Sequence, residues 1–222
     1  MNSFHDQNVD GIILIGTLFT AEHKERMKHL SVPIVILAQR LDGYSCVYSD
    51  DYHASLDLTS RLAKTGHVFG YISAESSDEA VGHNRKKGFD DGLSQAGQEH
   101  APRYYAEAAF SMESGYQMTK KLFTDHPDID TLLCATDTIA SGALRYFHEQ
   151  EIPVPEQVQI AGFGDSSIAR ATTPTLTTAH FFYEEAGSEA GKILLDMMQE
   201  KEHPLNRELK LGFSTIVRDS TR

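Results

Sequence analysis

Cysteine is scarce in this chain: Cys46 and Cys134 are the two in 222 residues. Both lie inside apolar runs and read as buried, reduced thiols of a cytosolic protein, with a single disulfide as the alternative. Cys-x-x-Cys spacing for a metal or redox site is absent. No apolar run approaches membrane-spanning length, and the opening residues MNSFHDQNVDG carry no basic-then-apolar export signal. Positive charge is also short, 20 Lys and Arg against 32 Asp and Glu, for a net charge of −12. A surface of that sign repels phosphate backbones and anionic lipid, so this chain alone is a poor partner for nucleic acid or membrane. A cytoplasmic location is expected. Enzyme signatures are missing too: there is no GxSxG, GxxxxGK[ST], HExxH or GxGxxG. Gly162-Phe163-Gly164 lacks the third glycine of a nucleotide fingerprint, and no helix opens directly behind it. The 11 histidines are scattered, and none pairs at i,i+4 with a carboxylate as a metal ligand set would. The chain is therefore expected not to be an enzyme and to need no cofactor or metal. No tandem repeat or low-complexity segment is visible.

What is present is an ordinary globular composition, 40% apolar and 23% charged, long enough for one domain or two small ones. The pattern is clearest over residues 131–180. Leu132-Leu133-Cys134-Ala135 ends at Thr136-Asp137. A helical period follows through Ile139, Ala140, Ala143, Leu144 and Phe147. After Ile152-Pro153-Val154-Pro155, a second apolar run, Val158-Gln159-Ile160-Ala161, empties into Gly162-Phe163-Gly164-Asp165. A strand, a crossover helix and a second strand of this kind imply a parallel pair, with ligands received at the carboxyl ends. Further strands are expected at residues 11–15, 32–38, 44–48, 68–72, 104–110 and 212–217. Helices are expected at residues 21–30, 53–64, from Arg85 onward, 113–124 and 186–198, with residues 73–84 a loop. The alternation argues for an α/β fold with parallel sheets.

Gln39, Asp50, Arg85, Asp137 and Asp165 all fall where the chain leaves a strand or enters a helix. Carboxylates that accept from vicinal hydroxyls, an arginine fork, and an aromatic such as Phe182 or Tyr183 over a C–H face suit a polyol held without bond making. Three of them have plainer readings: Asp137 as the cap of a helix starting at Thr138, Asp50 (or Asp51) as the cap of the helix at residues 53–64, and Arg85 as a solvated first-turn residue.

The motifs together resemble the effector-binding core of the lactose-repressor/galactose-repressor (LacI/GalR) family of transcription regulators. They are Val9-Asp10-Gly11-Ile12-Ile13, Val32-Pro33-Ile34-Val35, Gly66-His67, Arg85-Lys86-Lys87-Gly88-Phe89, the run from Ala135 to Leu144, Val154-Pro155, Gly162-Phe163-Gly164-Asp165 and Pro174-Thr175-Leu176-Thr177-Thr178. They cover nearly the whole chain from residue 9. The resemblance implies a periplasmic-binding-protein-like fold of two doubly wound parallel-sheet subdomains with three crossovers, the first subdomain incomplete. The subdomains are expected at residues 1–49 with 180–206, and 50–179 with 207–222. The crossovers are expected near Ser49-Asp50, near His180-Phe181, and between Pro204 and Glu208. It implies a sugar effector in the cleft, with Gln39, Asp50, Arg85, Asp137, Asp165 and Tyr183 as binding residues. It further implies a homodimer, and operator DNA reached only through a helix-turn-helix headpiece. That headpiece and the first two βα units have no counterpart here, so a fragment is expected, with exposed edges on the strands at residues 11–15 and 34–38.

Two departures stand out. The family's Asp after Gly-Phe is Gly164 here, followed by Asp165, and its Asn-Asp is Thr136-Asp137. The Gly162-to-Ser166 segment, with Thr177-Thr178-Ala179-His180-Phe181-Phe182-Tyr183, is similar to repressors of sucrose-type operons. The expected function is the sensing domain of a sugar-responsive repressor. The alternatives are a free-standing sugar-binding protein of a transport system and an enzyme on a doubly wound sheet.

Overall fold

The computed structural model describes residues 9–16, 18–199 and 205–222. The opening residues 1–8 and Pro204 lie outside them. The chain forms two compact units, one holding residues up to Asp50 and Phe182–Gly212, the other Asp51–Phe181 and Phe213–Arg222.

The first unit is a parallel four-stranded sheet in the order β1, β2, β3, β9: β1 is Ile12–Ile15, β2 Ile34–Leu37, β3 Ser45–Ser49 and β9 Glu208–Leu211. Its central strand β2 is an uninterrupted apolar run because both faces are covered. Ile34 and Ile36 of β2 join Met27 of helix α1 (Ala21–Lys28) on one face. Val35 turns the other way, onto Ala186, Ala190 and Ile193 of helix α7 (Tyr183–Gln199). Thr20 starts α1 as a capping box with His23.

Two expectations fail here. Residues 34–38 were expected to present an open edge, but β2 is paired on both sides, and among the described strands β1 alone lies at that edge, with Ile15 69% exposed. The third crossing was expected between Pro204 and Glu208. Residues 208–211 instead pair with β3, so the chain stays in the first unit until Gly212. Glu-Leu-Lys-Leu alternates with the period of a half-buried strand, but four residues are too short a run to stand out in the sequence.

The second unit is a six-stranded sheet in the order β10, β8, β7, β6, β4, β5, parallel except for β10. The strands are β4 Phe69–Ser73, β5 Arg103–Glu107, β6 Thr131–Cys134, β7 Gln159–Phe163, β8 Thr177–Phe181 and β10 Phe213–Ile216. The helices are α2 Asp51–Leu62, α3 Arg85–Gln95, α4 Met112–Asp125, α5 Asp137–Glu149 and the short α6 Ser167–Ala171. Leu58, Phe89 and Leu93 from the α2–α3 pair, and Leu122, Phe123, Ile139 and Phe147 from the α4–α5 pair, join the strand residues in one core. Burying each such side chain is worth about 1.5–3 kcal/mol.

The α4–α5 contact is set by glycine. A Cβ on Gly142 would stand 2.0 Å from the Met112 carbonyl oxygen, and one on Gly115 2.3 Å from that of Ile139. Gly66 closes α2, its N–H donating to the Leu62 carbonyl. His67 continues the turn, its N–H donating to the Asp130 carboxylate.

Residues 73–84, expected as loop, contain a π-helical turn, Glu79–Asn84. β8 and α6 had no periodic signal of their own. The tail after β10 is sewn into the sheet: Ser220 Oγ donates to the Ile160 carbonyl, and the Ser220 carbonyl accepts from Ile160 N–H.

Candidate functional site

In the second unit, the carboxyl ends of β4, β6, β7 and β8 collect the polar residues that the sequence singled out. Asp78 caps the π turn by accepting from Val81 N–H (2.8 Å), and that turn delivers Arg85 into the first position of α3. Arg85 is not a solvated first-turn residue: it is 6% exposed. Its Nε and Nη2 both lie 2.7 Å from Asp51 Oδ1, and its Nη1 donates to the Ala135 carbonyl at 2.5 Å. The guanidinium sits 4.9 Å from the Phe163 ring centroid and 5.0 Å from that of Phe181, a cation packed against both rings of a nearly parallel pair. The motif Gly-Phe at the end of β7 and the phenylalanine ending β8 thus converge on one side chain.

Asp137 does not cap α5. Thr136 does, accepting from Ile139 N–H at 3.2 Å, and Asp137 is the first helical residue. It is 2% exposed. Its Oδ1 accepts from Thr178 Oγ1 (2.6 Å), and its Oδ2 accepts from Ser166 N–H (2.8 Å) and Ser166 Oγ (3.1 Å). Gly162 makes room for it: a Cβ there would meet Asp137 Oδ1 at 2.7 Å. Burial pushes the Asp137 carboxyl above its ordinary range, against the hydrogen bonds from Thr178 and Ser166. Burial likewise raises Asp78, whose Oδ2 is buried without a hydrogen-bond partner.

Gly164 has φ of 126° and Asp165 φ of 47°, so the turn after β7 takes a path that a side chain resists at Gly164. This is the physical reason for glycine where an aspartate was expected. Asp165 N–H donates to Thr178 Oγ1 at 3.2 Å, the same hydroxyl that binds Asp137. The Asp165 carboxylate is engaged at both oxygens: Arg218 Nη2 donates to Oδ1 at 2.5 Å, and His180 Nδ1 lies 3.1 Å from Oδ2. Burial pushes Asp165 up, but the hydrogen bond and charge of Arg218, joined by His180, hold its carboxyl below the usual range.

Arg85, Asp137 and Asp165 are therefore brought together, linked through Ala135, Thr178 and Ser166. They form a rigid frame whose polar atoms are largely satisfied within the protein. Asp51, Asp78, Thr178, His180 and Arg218 belong to that frame and were not among the predicted site residues. Asp51 adjoins Asp50, and only the phase of α2 decides which of the two turns inward. Arg218 carries no local signal, because it arrives by way of the antiparallel β10.

In the first unit, Gln39 is buried at the end of β2, where its Nε2 donates to the Gly16 carbonyl at 2.7 Å and ties the ends of β1 and β2. Asp50 follows β3; its Oδ2 lies 2.9 Å from Lys210 Nζ, and its N–H donates to the Leu211 carbonyl. Tyr183 opens α7 and is 57% exposed.

The sequence profile of the periplasmic binding protein-like domain matches residues 59–221. The chain belongs to that family. Its relatives in this family are LacI-type regulators of transcription. The HTH-type transcriptional regulator TreR of Escherichia coli (strain K12) is 31% identical over 199 residues, which are 89% of this chain and 60% of TreR. The sucrose operon repressor of Staphylococcus xylosus is 27% identical over 202 residues, 90% of this chain and 62% of the repressor. This chain thus spans about three-fifths of the length of these relatives. Among solved structures, a LacI family transcriptional regulator from Enterococcus faecium with bound ribose superposes with a TM-score of 0.88 at 25% identity, over 99% of this chain and 82% of that one. The complex of transcriptional regulator CelR with cellobiose gives 0.89 at 25% identity, over 99% and 68%. Among the described residues no helix is long and apolar enough to cross a membrane.

Proposed function

We propose that this chain is the effector-sensing part of a sugar-responsive, DNA-binding transcriptional repressor, and that it holds a small sugar in a cleft between its two units. One observation carries the reading. The strand ends of the second unit form a polar frame, with Arg85 packed on the Phe163 and Phe181 rings beside Asp137 and Asp165. Such a frame suits recognition, because its polar edges are held in place by hydrogen bonds within the protein. Relatives named as regulators, and neighbours solved with ribose and cellobiose, support the same reading.

Gln39, Asp50 and Tyr183 from the first unit, and Arg85, Asp137 and Asp165 from the second, remain the proposed ligand-binding set. The buried members act by holding the surface that meets the sugar. A sugar that binds one arrangement of the two units better than another biases the equilibrium between them. That bias is what couples an effector to distant DNA contacts. The operator would be contacted by a headpiece outside these residues, by a cytoplasmic homodimer. Calorimetry of this chain with ribose, sucrose and cellobiose tests the reading. Saturable binding of one sugar with one-to-one stoichiometry is expected, and silence across a wide panel of mono- and disaccharides would refute it.

A further inference from the structure

The turn after β7 is strained where it carries a side chain. Asp165, at φ of 47°, lies in the left-handed region beside Gly164. A residue other than glycine stays there only where its surroundings fix it. The main chain of the turn is held by its neighbours: Gly164 N–H donates to the Ala179 carbonyl at 2.8 Å, Asp165 N–H to Thr178 Oγ1 at 3.2 Å, and Ser166 N–H to Asp137 Oδ2 at 2.8 Å.

The Asp165 side chain is held from much farther along the chain. Arg218, which follows β10, donates from Nη2 to Asp165 Oδ1 at 2.5 Å and from Nη1 to the Leu176 carbonyl at 2.8 Å. Its main-chain N–H donates to Thr177 Oγ1 at 2.8 Å, so this arginine is anchored to the start of β8 through both backbone and guanidinium. Its side chain is 15% exposed. The other groups at Asp165 sit at longer range. His180 Nδ1 is 3.1 Å from Oδ2, and the exposed Arg170 reaches the Asp165 carbonyl at 3.5 Å.

We propose that Arg218 is a positioning residue: by gripping the Asp165 carboxylate it holds that residue in its left-handed conformation and sets the direction in which the turn at residues 164–166 faces. The proposal rests on the sugar-sensing reading above and deepens it, since sugar affinity then depends on a side chain that need not touch the sugar. This role is separable from holding the sheet together, because other groups make that seam. Ser220 Oγ accepts from Thr177 N–H and donates to the Ile160 carbonyl, and Thr175 Oγ1 donates to Asp219. None of these contacts uses the guanidinium.

The test is residue-resolved amide hydrogen exchange on the whole chain, in wild type, Arg218→Met and Arg218→Lys. In Arg218→Met the N–H groups of Asp165 and Ser166 should exchange at least about tenfold faster, the loss expected with a charge-assisted hydrogen bond, while those of β6 keep their wild-type rates. Lysine keeps the charge without the fork, so Arg218→Lys should fall between the two. Glycine adopts positive φ freely, so in an Asp165→Gly background Arg218→Met should add nothing to the exchange of Ser166. Unchanged rates at residues 165 and 166 overturn the inference. So does a uniform rise through β6 and β7, which would make Arg218 a general support. Calorimetry with ribose, sucrose and cellobiose supplies the second readout. A sugar that binds wild type should bind folded Arg218→Met, or Arg218→Lys if the first variant does not fold, at least about tenfold more weakly. Equal affinity with a loosened turn overturns the role in recognition. Silence of wild type across a wide sugar panel overturns the sugar-sensing reading, and the exchange rates still decide whether Arg218 sets the turn.

Discussion

Replacing Arg85 by alanine should cost stability before it says anything about sugar. Asp51 Oδ1 receives both Nε and Nη2 of Arg85 at 2.7 Å, and both residues are buried. The replacement leaves that carboxylate buried without its cation, unpairs the Ala135 carbonyl, and strips the cation from the Phe163 and Phe181 rings. Breaking a buried ion pair from one side costs about 3–5 kcal/mol. In a unit of this size that is a fall in Tm of roughly 10 °C or more. Urea or thermal unfolding followed by circular dichroism measures it, with the two units allowed separate transitions. Removing both charges, as in Arg85→Met with Asp51→Asn, should recover a large part of the loss, because no isolated charge is then left inside. A single variant that loses less than about 1 kcal/mol, or a double variant no better than the single, would refute the claim that Arg85 is a structural tie between α3, α2 and β6. Sugar affinity in Arg85→Ala is informative only under conditions where the variant is shown to be folded.

Two further outcomes follow from the geometry. Asp165 titrates below the usual carboxylate range in the folded protein, so its contribution is present above its unfolded pKa and is lost as pH falls through the depressed folded value. The stability deficit of Asp165→Asn relative to wild type should therefore be full at neutral pH and vanish in strong acid, as read from thermal melts across the acid range; a deficit that persists unchanged there would contradict the Arg218 pairing. Gly142→Ala places a methyl 2.0 Å from the Met112 carbonyl oxygen, a backbone atom that cannot swing aside. It should destabilise by about 1–3 kcal/mol as α4 and α5 are forced apart, measured as a lowered urea midpoint.

The alternation of strands and helices in the second unit was legible where a buried strand is an apolar run followed by a helical period, as in Leu132-Leu133-Cys134-Ala135 before Ile139 to Phe147. What escaped were elements whose partners lie far off in sequence. β9 alternates charged and apolar residues as a half-buried strand does, but over four residues only, and its partner β3 lies about 160 residues away. β8 reads Thr-Thr-Ala-His-Phe, polar enough to pass for a loop until β7 and β10 flank it. For the candidate site, strand-end position singled out Arg85, Asp137 and Asp165, but position cannot tell which atoms are already taken. Asp137 is filled by Thr178 and Ser166, and Asp165 by Arg218, contacts that span 29 to 53 residues of sequence. The Gly164 departure was visible in the sequence, whereas its cause, a backbone angle open chiefly to glycine, was not.

The way the final residues are stitched down has a practical side. Arg218 steadies the turn after β7, while Ser220, fully buried, closes the seam between β7 and β8 nearer their start. A stretch that resembles a disposable tail thus works as a clasp across both ends of the strand pair. Trimming the chain back past Arg218 would unfasten the turn after β7 from a distance, although the cut lies more than 50 residues away in sequence.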